Sequence, residues 1–226
     1  MKYVIKKESP EAFELWKAQR KPLRWEDLLG KRANEAAAEV TDYSKAELRT
    51  ALYEEQRHLC CYCNQRIANT AAGTAIDHIQ PREGTTNQHL IFEYSNLGLS
   101  CKGGERDPKP RYTHCDNHKG SSSLLLTHLD PRCEVEIRHT LDGRSGGTSP
   151  DAVETIKVLN LSNPKLNGLR EGAIAGLIYT NQQRTELISA QDARAVHDGL
   201  MRLIQEKSEL PAFVIALVHA LRLIME

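Results

Sequence analysis

The sequence predicts an α+β protein that is mostly helical, with a metal-dependent module in the middle of the chain. Apolar residues recur at helical spacing in several segments before residue 59 and after residue 150. From 60 to about 135 the chain is instead rich in turn-forming residues, including glycine and proline, and in histidine, and its apolar runs are short. All six cysteines lie in this middle stretch. Metal ligation can replace part of a hydrophobic core, so this composition is expected around a metal site.

Two helices are predicted before the cysteines. Ser9-Pro10 is a start signal and Lys21-Pro22 a stop signal, so residues 9–29 are expected to form a short helix followed by a loop. Trp16 and Trp25 are expected to be packing anchors. Residues 44–47 (Ser-Lys-Ala-Glu) fit a capping box, and the helix that begins there leads to Cys60.

Short strands and loops are predicted for the middle stretch. Residues 75–79 form a strand candidate that Pro81 ends, and residues 87–100 lead back to the second cysteine set. The loop 102–114 is modestly basic and carries Arg106 among its cations. Residues 135–138 resemble a strand, and a glycine-rich turn follows at 142–147.

After the glycine-rich turn, spaced apolar residues and capping signals predict four helices, at 151–160, 166 to about 189, 191–207 and 211–225. The last is apolar on most faces, so it is either deeply buried or docks on a partner chain, and burial is the expected outcome. We expect three segments: an N-terminal helical segment 1–50, a metal-bound module 51–135 and a C-terminal helical region 136–226.

Composition excludes some classes of function. With 30 basic and 30 acidic residues the net charge is zero, so any attraction to nucleic acid must be local or come from a partner. No apolar stretch approaches the roughly 20 residues of a membrane span. Charged residues close to the start leave no room for the apolar core of a signal peptide. A cytoplasmic protein without membrane contact is the expectation.

The cysteine pattern indicates a structural zinc site. A C-x-x-C turn supplies two thiolates from one tight loop, and a second pair arrives from elsewhere in the chain. The second pair here is not C-x-x-C, so His114 or Cys61 could replace one ligand, and chance clustering of buried cysteines is the alternative. Cys133 is expected to be a bystander. The predicted Zn²⁺ ligands are Cys60, Cys63, Cys101 and Cys115.

Asp77 and His78 lie side by side between the two cysteine pairs. Hydrolysis of a phosphodiester with one metal ion needs a base for water and a cation for the phosphate and the leaving oxygen. A neutral imidazole suits the base, and oxygen ligands suit Mg²⁺. Neighbours on a strand point to opposite faces, so both can serve one site only at a twisted strand end or with the metal between strand and crossing helix.

The order C-x-x-C, Asp-His-Ile-x-Pro, Asn-Leu, Cys and Cys-Asp-x-x-Lys-Gly resembles the HNH endonucleases, whose treble-clef-like ββα-metal core is held by a zinc-bound cysteine quartet. The resemblance implies that His78 is the general base and that Asn96 braces the loop. It implies Asp77 and Asp116 as ligands of a catalytic Mg²⁺ or Mn²⁺, with Asn117 or His118 as alternatives to Asp116. The expected nucleic-acid contacts are Lys119 and, from the basic loop, Arg111 and Lys109, with solvated surface positions as the alternative.

Further similarity is spread along the chain. Its segments are Met1–Lys7, Leu59–Cys63, Glu93–Leu97, Cys115–Gly120 and Leu159–Leu161, with Leu166 and Arg170. They are similar to PtuB-type HNH proteins, which act with an ATPase, PtuA, in Septu and some retron anti-phage systems. The resemblance implies a toxic nuclease that an ATPase partner holds in check until infection.

The expected function is a metal-dependent HNH endonuclease, a hydrolase of phosphodiester bonds in DNA or RNA, serving anti-phage defence under a PtuA-like ATPase. One rival is a non-catalytic zinc module that binds nucleic acid or protein through its helical tail. Another is a zinc-stabilised regulatory subunit whose partner holds the activity. Asp77, His78 and Asp116 favour the enzyme, because a binding module needs no base beside oxygen ligands.

Overall fold

The computed structural model describes residues 1–28, 43–82, 87–104, 109–206 and 209–226 of the chain. In these ranges the protein combines α-helices with two small antiparallel sheets, which confirms the α+β class. Residue 29 of the first predicted segment, Arg106 of the basic loop and Lys207 of the third C-terminal helix lie outside the described residues. The elements are α1 (Glu11–Arg20), α2 (Lys45–Glu55), β1 (Thr74–His78), β2 (Leu97–Cys101), α3 (Asp116–Lys119), α4 (Cys133–Glu136), β3 (Ile137–His139), β4 (Ser145–Gly147), α5 (Pro150–Val158), α6 (Pro164–Ile178), α7 (Ala190–Gln205) and α8 (Val214–Met225).

The two N-terminal helices begin where the sequence signals predict. Pro10 caps α1, and Lys21 ends it in the left-handed conformation, with φ 45°. The Ser44 hydroxyl accepts from the Glu47 N–H while the Glu47 carboxylate accepts from the Ser44 N–H, which is the predicted capping box of α2. The helix ends at Glu55, and a turn covers the remaining distance to the first cysteine.

Aromatic packing fixes the N-terminal segment on the middle of the chain. Phe13 stacks on Trp16, and Trp16 meets the ring of Phe92 edge-on at 5.5 Å. Phe92 in turn lies 5.9 Å from Trp25, which follows α1 in a short 3₁₀ helix. Both tryptophans are buried, as expected of packing anchors. This chain of contacts places Trp25 beside β1.

Strands β1 and β2 form an antiparallel hairpin at the centre of the protein. Asp77 pairs with Gly98 and His78 with Leu97, at the end where β1 stops. At the other end Thr74 pairs with Cys101, the last residue of β2. The hairpin therefore carries one predicted zinc ligand at one end and the Asp-His pair at the other.

Three predictions for the C-terminal half were wrong in detail. The helix expected to reach about residue 189 ends at Ile178, because the polar run after it makes a turn in which the Asn181 side chain accepts from the Thr185 N–H. The strand expected at 135–138 begins only at Ile137, since residues 133–136 form α4. The glycine-rich turn is shorter than predicted, because its second half, Ser145–Gly147, forms β4.

The last helix is buried, which was the expected alternative. It begins at Val214 rather than at 211, because Phe213 adopts φ 59° while its N–H bonds to the Asn64 carbonyl. Residues 214–221 are all buried, and α8 packs chiefly against α7 and α6. One hydrophobic core draws residues from each of the three predicted segments, including Phe13, Leu99 and Leu221. Among the described helices, none combines the length and apolar character that crossing a bilayer requires.

Candidate functional site

Four cysteines from three separate places in the chain meet in the interior. Their sulfur atoms all lie within 4.8 Å of one another, and all four side chains are buried. Cys60 and Cys63 come from a tight turn in which the Asn64 N–H bonds to the Cys60 carbonyl. Cys101 ends β2, and Cys115 immediately precedes α3.

A hydrogen bond across the base of the loop explains how Cys101 and Cys115 meet although they are far apart in the chain. The His114 N–H donates to the Gly103 carbonyl at 3.0 Å, which joins the two ends of the loop between Cys101 and Cys115. Only glycine fits at position 103, because a Cβ there would lie 2.1 Å from the His114 carbonyl oxygen. The length of the loop therefore does not separate the two cysteines.

The quartet has the dimensions of a tetrahedral metal site. Metal–sulfur bonds of about 2.3 Å imply sulfur–sulfur edges of about 3.8 Å in a tetrahedron. The Cys60–Cys115 and Cys63–Cys101 sulfur atoms are 3.8 and 3.7 Å apart, and none of the four is in a disulfide. Backbone N–H groups donate to two of the sulfurs, from Cys101 to Cys60 at 3.3 Å and from Gln65 to Cys63 at 3.5 Å. These four cysteines could hold a metal ion such as zinc.

The alternative ligands lie close to the quartet. His114 Nδ1 is 3.2 Å from the Cys115 sulfur and 3.9 Å from that of Cys101, so His114 lines the edge of the quartet. Cys61 is buried, and burial raises the pKa of its thiol well above the usual value. Cys133 lies outside the quartet, and its thiol donates to the Met1 carbonyl.

A pocket of about 290 Å³ adjoins the far end of the hairpin. We call it the site pocket. Asp77 and His78 both line it even though they are neighbours on β1, because the strand ends at His78; Asp116 and Lys119 of α3 line the same pocket. Its lining residues are Trp25, Ile76, Asp77, His78, Pro81, Arg82, Asp116, Lys119, Gly120 and Ser121.

The Asp77 carboxylate is held on both oxygens. The buried Tyr62 hydroxyl donates to Oδ2 at 2.5 Å, and the Lys119 ammonium lies 3.3 Å from Oδ1. Tyr62 stands between two cysteines of the C-x-x-C turn, so this bond joins the quartet directly to the site pocket. Each carboxylate oxygen has two lone pairs, which leaves Asp77 able to accept a further ligand.

His78 is a buried, neutral histidine with one nitrogen committed. Nε2 lies 3.0 Å from the Ile91 carbonyl oxygen, which can only accept, so Nε2 carries the proton and Nδ1 keeps its lone pair. Burial lowers the pKa of the imidazole below its usual value. The Trp25 ring packs edge-on against the imidazole with ring centres 4.6 Å apart, which restricts the ring orientation.

Asn96 joins the two loops that flank His78. Its Oδ1 accepts from the Gln80 N–H at 2.7 Å, and its Nδ2 donates to the carbonyls of Gln80 at 3.1 Å and Leu90 at 3.2 Å. Leu90 precedes Ile91, whose carbonyl bonds to His78. The three bonds therefore fix the partner of the histidine as well as the chain that follows it.

Of the three residues considered after Cys115, Asp116 is the one that lines the site pocket. Burial first, and then the neighbouring Asp77 carboxylate, raise the pKa of Asp116 to about 7. Asn117 is exposed, and its amide donates to the Lys102 carbonyl at 3.3 Å. His118 Nδ1 lies 2.9 Å from the Val158 carbonyl, which ties that ring to α5.

The three basic residues expected at nucleic acid have different surroundings. Lys119 is 2% exposed and also donates to the His78 carbonyl at 2.8 Å, so it belongs to the site pocket and is not a solvated surface charge. Arg111 is exposed and lies against the Tyr112 ring. Neither Arg111 nor Lys109 lines the site pocket.

Tyr62, Trp25 and Arg82 contact or line the site although their sequence positions do not predict this. The sequence pattern predicts no separate role for Tyr62, and it predicts only a packing role for Trp25. The signal for Tyr62 is its place between two ligand cysteines, but nothing in a sequence shows where its hydroxyl points. Arg82 follows the Asp-His-Ile-x-Pro motif and lines the site pocket from an exposed position.

The site pocket thus combines a histidine with one free nitrogen, two adjacent carboxylates and a buried ammonium group. Carboxylate oxygens are suitable ligands for Mg²⁺ or Mn²⁺, and the closeness of Asp77 and Asp116 is a reason for a cation to bind there. A phosphate group in the same pocket could accept hydrogen bonds from the exposed Arg82 and would lie near the positive charge of Lys119. Comparison of the chain with protein-family models and with curated proteins finds no match.

Proposed function

We propose that this protein is a metal-dependent endonuclease of the HNH type that hydrolyses phosphodiester bonds in nucleic acid. The observation that carries the proposal is the meeting of Asp77, His78 and Asp116 in one pocket, on a hairpin and helix held by a cysteine quartet. Two strands followed by a one-turn helix are the arrangement that the HNH resemblance implies.

The chain's own residues supply most of the required groups. His78 Nδ1 accepts the proton of the attacking water, and the bond from Nε2 to Ile91 keeps the ring in the tautomer that allows this. Asp77 and Asp116 would hold a Mg²⁺ or Mn²⁺ ion, which when bound offsets negative charge on the phosphate and the leaving oxygen. Lys119 holds Asp77 in place and adds positive charge.

Zinc is the metal we propose for the quartet. Thiolate ligands at tetrahedral spacing are the usual structural zinc site, and such a site contributes directly to folding. Its role here is to fix Cys60, Cys101 and Cys115, and with them the relative positions of the hairpin and α3. The metal would not take part in the reaction.

The test is cleavage of single-stranded and duplex DNA and RNA by the purified protein in Mg²⁺ or Mn²⁺. We expect His78→Ala to abolish cleavage while the protein stays folded with its zinc bound. Its melting temperature should fall, because the buried Ile91 carbonyl loses its donor. His89→Ala is the matched control, because His89 is an exposed histidine in the connection between β1 and β2 and does not line the site pocket. Equal cleavage by His78→Ala would remove the catalytic assignment.

We also propose that a PtuA-like ATPase controls the activity, as the PtuB resemblance implies. The zero net charge agrees with an assembly in which a partner helps to engage nucleic acid. Cleavage should therefore be compared with and without such an ATPase and with ATP present. Absence of cleavage under every condition, with zinc bound and the chain folded, would favour the non-catalytic zinc module.

A further inference from the structure

A second pocket lies beside the site pocket and shares two residues with it. We call it the flanking groove, a concavity of about 380 Å³. Trp25 and Arg82 line both cavities, so together these two residues form the boundary between them. The flanking groove is lined by Leu23, Arg24, Trp25, Glu26, Arg82, Gln88 and Ile91.

The groove has apolar walls and a basic rim. Leu23, Trp25 and Ile91 are the apolar lining residues; Leu23 is 83% exposed and supplies most of the accessible apolar surface, whereas Trp25 and Ile91 are 9% and 8% exposed. Arg24 and Arg82 supply two cations at the rim, where the carboxylates of Asp27 and Glu26 are their present partners. Apolar and aromatic surface next to arginine is suited to an unpaired base and its phosphate, whereas a duplex keeps its bases stacked inside.

The rim is held in place before any ligand arrives. The Asp27 carboxylate accepts from the backbone N–H groups of Leu23 and Arg24, each at 2.9 Å. These bonds fix the backbone that presents the exposed leucine and arginine side chains. A preformed rim lowers the entropy cost of binding a flexible strand.

Both arginines can exchange their present partners for a phosphate. Arg82 lies 2.9 Å from the Glu26 carboxylate, and both side chains are substantially exposed. Arg24 is 4.0 Å from Asp27, also at the surface. Exposed pairs of this kind are weak, while arginine binds phosphate through two charge-assisted hydrogen bonds.

Lys45 adds to the positive charge on this side of the protein. Its ammonium lies 5.3 Å from the centre of the Trp25 ring. Lys45 is close enough to Arg82 and Arg49 for their charges to lower its pKa, after burial and against the opposing effect of Glu26. Local basic character at the groove is compatible with the zero net charge of the whole chain.

We propose that the flanking groove binds an unpaired nucleotide next to the phosphate held in the site pocket, so that the protein selects single-stranded nucleic acid. This inference rests on the proposed function for the identity of the ligand. Arg82, which lines both cavities, contacts the phosphate that joins the two nucleotides. Leu23, the exposed apolar residue of the groove, contacts the base.

The test is the affinity of the His78→Ala protein for a single-stranded oligonucleotide and for a duplex of the same sequence, measured by fluorescence anisotropy at several salt concentrations. We expect Arg24→Gln with Arg82→Gln to weaken single-strand binding and to reduce the slope of log affinity against log salt by about 1.4, or about 0.7 for each phosphate contact. Leu23→Ala should weaken it on the order of tenfold with no change in slope.

Arg184→Gln is the matched control, because Arg184 is also an exposed arginine paired with a glutamate, Glu171. It should leave single-strand affinity unchanged. Duplex binding as tight as single-strand binding, or groove variants that bind like the control, would overturn the proposal even if the protein cleaves nucleic acid. Single-strand binding that depends on Leu23, Arg24 and Arg82, in a protein that never cleaves, would support nucleotide binding in the flanking groove and would contradict the proposed nuclease activity.

Discussion

The Tyr62 hydroxyl donates a 2.5 Å hydrogen bond to Asp77 Oδ2, and both side chains are buried. Tyr62 belongs to the turn that carries Cys60 and Cys63, whereas Asp77 lies in the site pocket. The bond therefore connects the candidate zinc site with the candidate catalytic site through one side chain. Formation of the cysteine site and orientation of Asp77 are expected to depend on each other.

Tyr62→Phe tests this connection. Removal of the hydroxyl leaves Asp77 Oδ2 buried without its donor, so the free energy of unfolding should fall by about 1.5–3 kcal/mol, as for other hydrogen bonds to charged groups. The quartet is untouched, so the zinc content should stay the same while cleavage falls. Urea denaturation and metal analysis check both, with Tyr179→Phe as the control. An unchanged stability would show that the bond contributes little.

Cys63→Ser should lose bound zinc and stability together, because ligation at a structural site is part of the folding free energy. Cys133→Ser provides the comparison, since Cys133 is equally buried but lies outside the quartet. Metal content and melting temperature measure the difference. Treatment of the wild type with a chelator should reproduce the Cys63→Ser result. A folded Cys63→Ser protein that keeps its zinc would remove Cys63 from the ligand set.

Asn96→Ala removes three hydrogen bonds of a buried amide and leaves the Gln80 and Leu90 backbone groups without this partner. We expect a loss of about 2–4 kcal/mol in the free energy of unfolding. Cleavage should also fall, because the loop that holds the Ile91 carbonyl against His78 loosens. Asn69→Ala, at an exposed asparagine, should change neither quantity by a measurable amount. If Asn96→Ala kept the wild-type free energy of unfolding but cleaved poorly, Asn96 would position His78 without contributing to stability.

Acid should weaken the fold through buried histidines. The pKa of His219 falls from 6.5 to about 4, because burial and the nearby N-terminal ammonium disfavour its charged form. Its Nδ1 accepts from the His139 N–H, so protonation there would break that bond. The unfolded chain therefore binds the proton first, and this stability is present above pH 6.5 and lost as the pH falls from 6.5 towards 4.

His219→Gln tests the pH effect, because glutamine can accept from His139 and donate to the Glu134 carbonyl without titrating. The variant should lose less stability than the wild type between pH 6.5 and 4, by up to about 1.4 kcal/mol for each pH unit. Denaturation curves at several pH values measure the difference. His89→Gln should follow the wild type, and parallel curves for all three proteins would exclude His219 as the source.

Local signals in the sequence determined several parts of this structure. The Ser44 capping box, the strand before Pro81 and the Cys60–Cys63 pair of the quartet were predicted from short patterns, because caps, breakers and C-x-x-C spacing act over a few residues. Signals of this kind failed at residue 179, where a turn stabilised by Asn181 competes with continued helix.

The contacts that define the site were decided by the tertiary structure. The Gly103–His114 bond brings Cys115 to Cys101. The docking of α3 presents Asp116 to the pocket, whereas Asn117 and His118 bond to the Lys102 and Val158 carbonyls. The Tyr62–Asp77 bond and the Trp25–His78 contact join residues that are far apart in the chain. Sequence patterns specify which side chains are present and their local conformation, but the partner of a buried polar group depends on how distant segments pack.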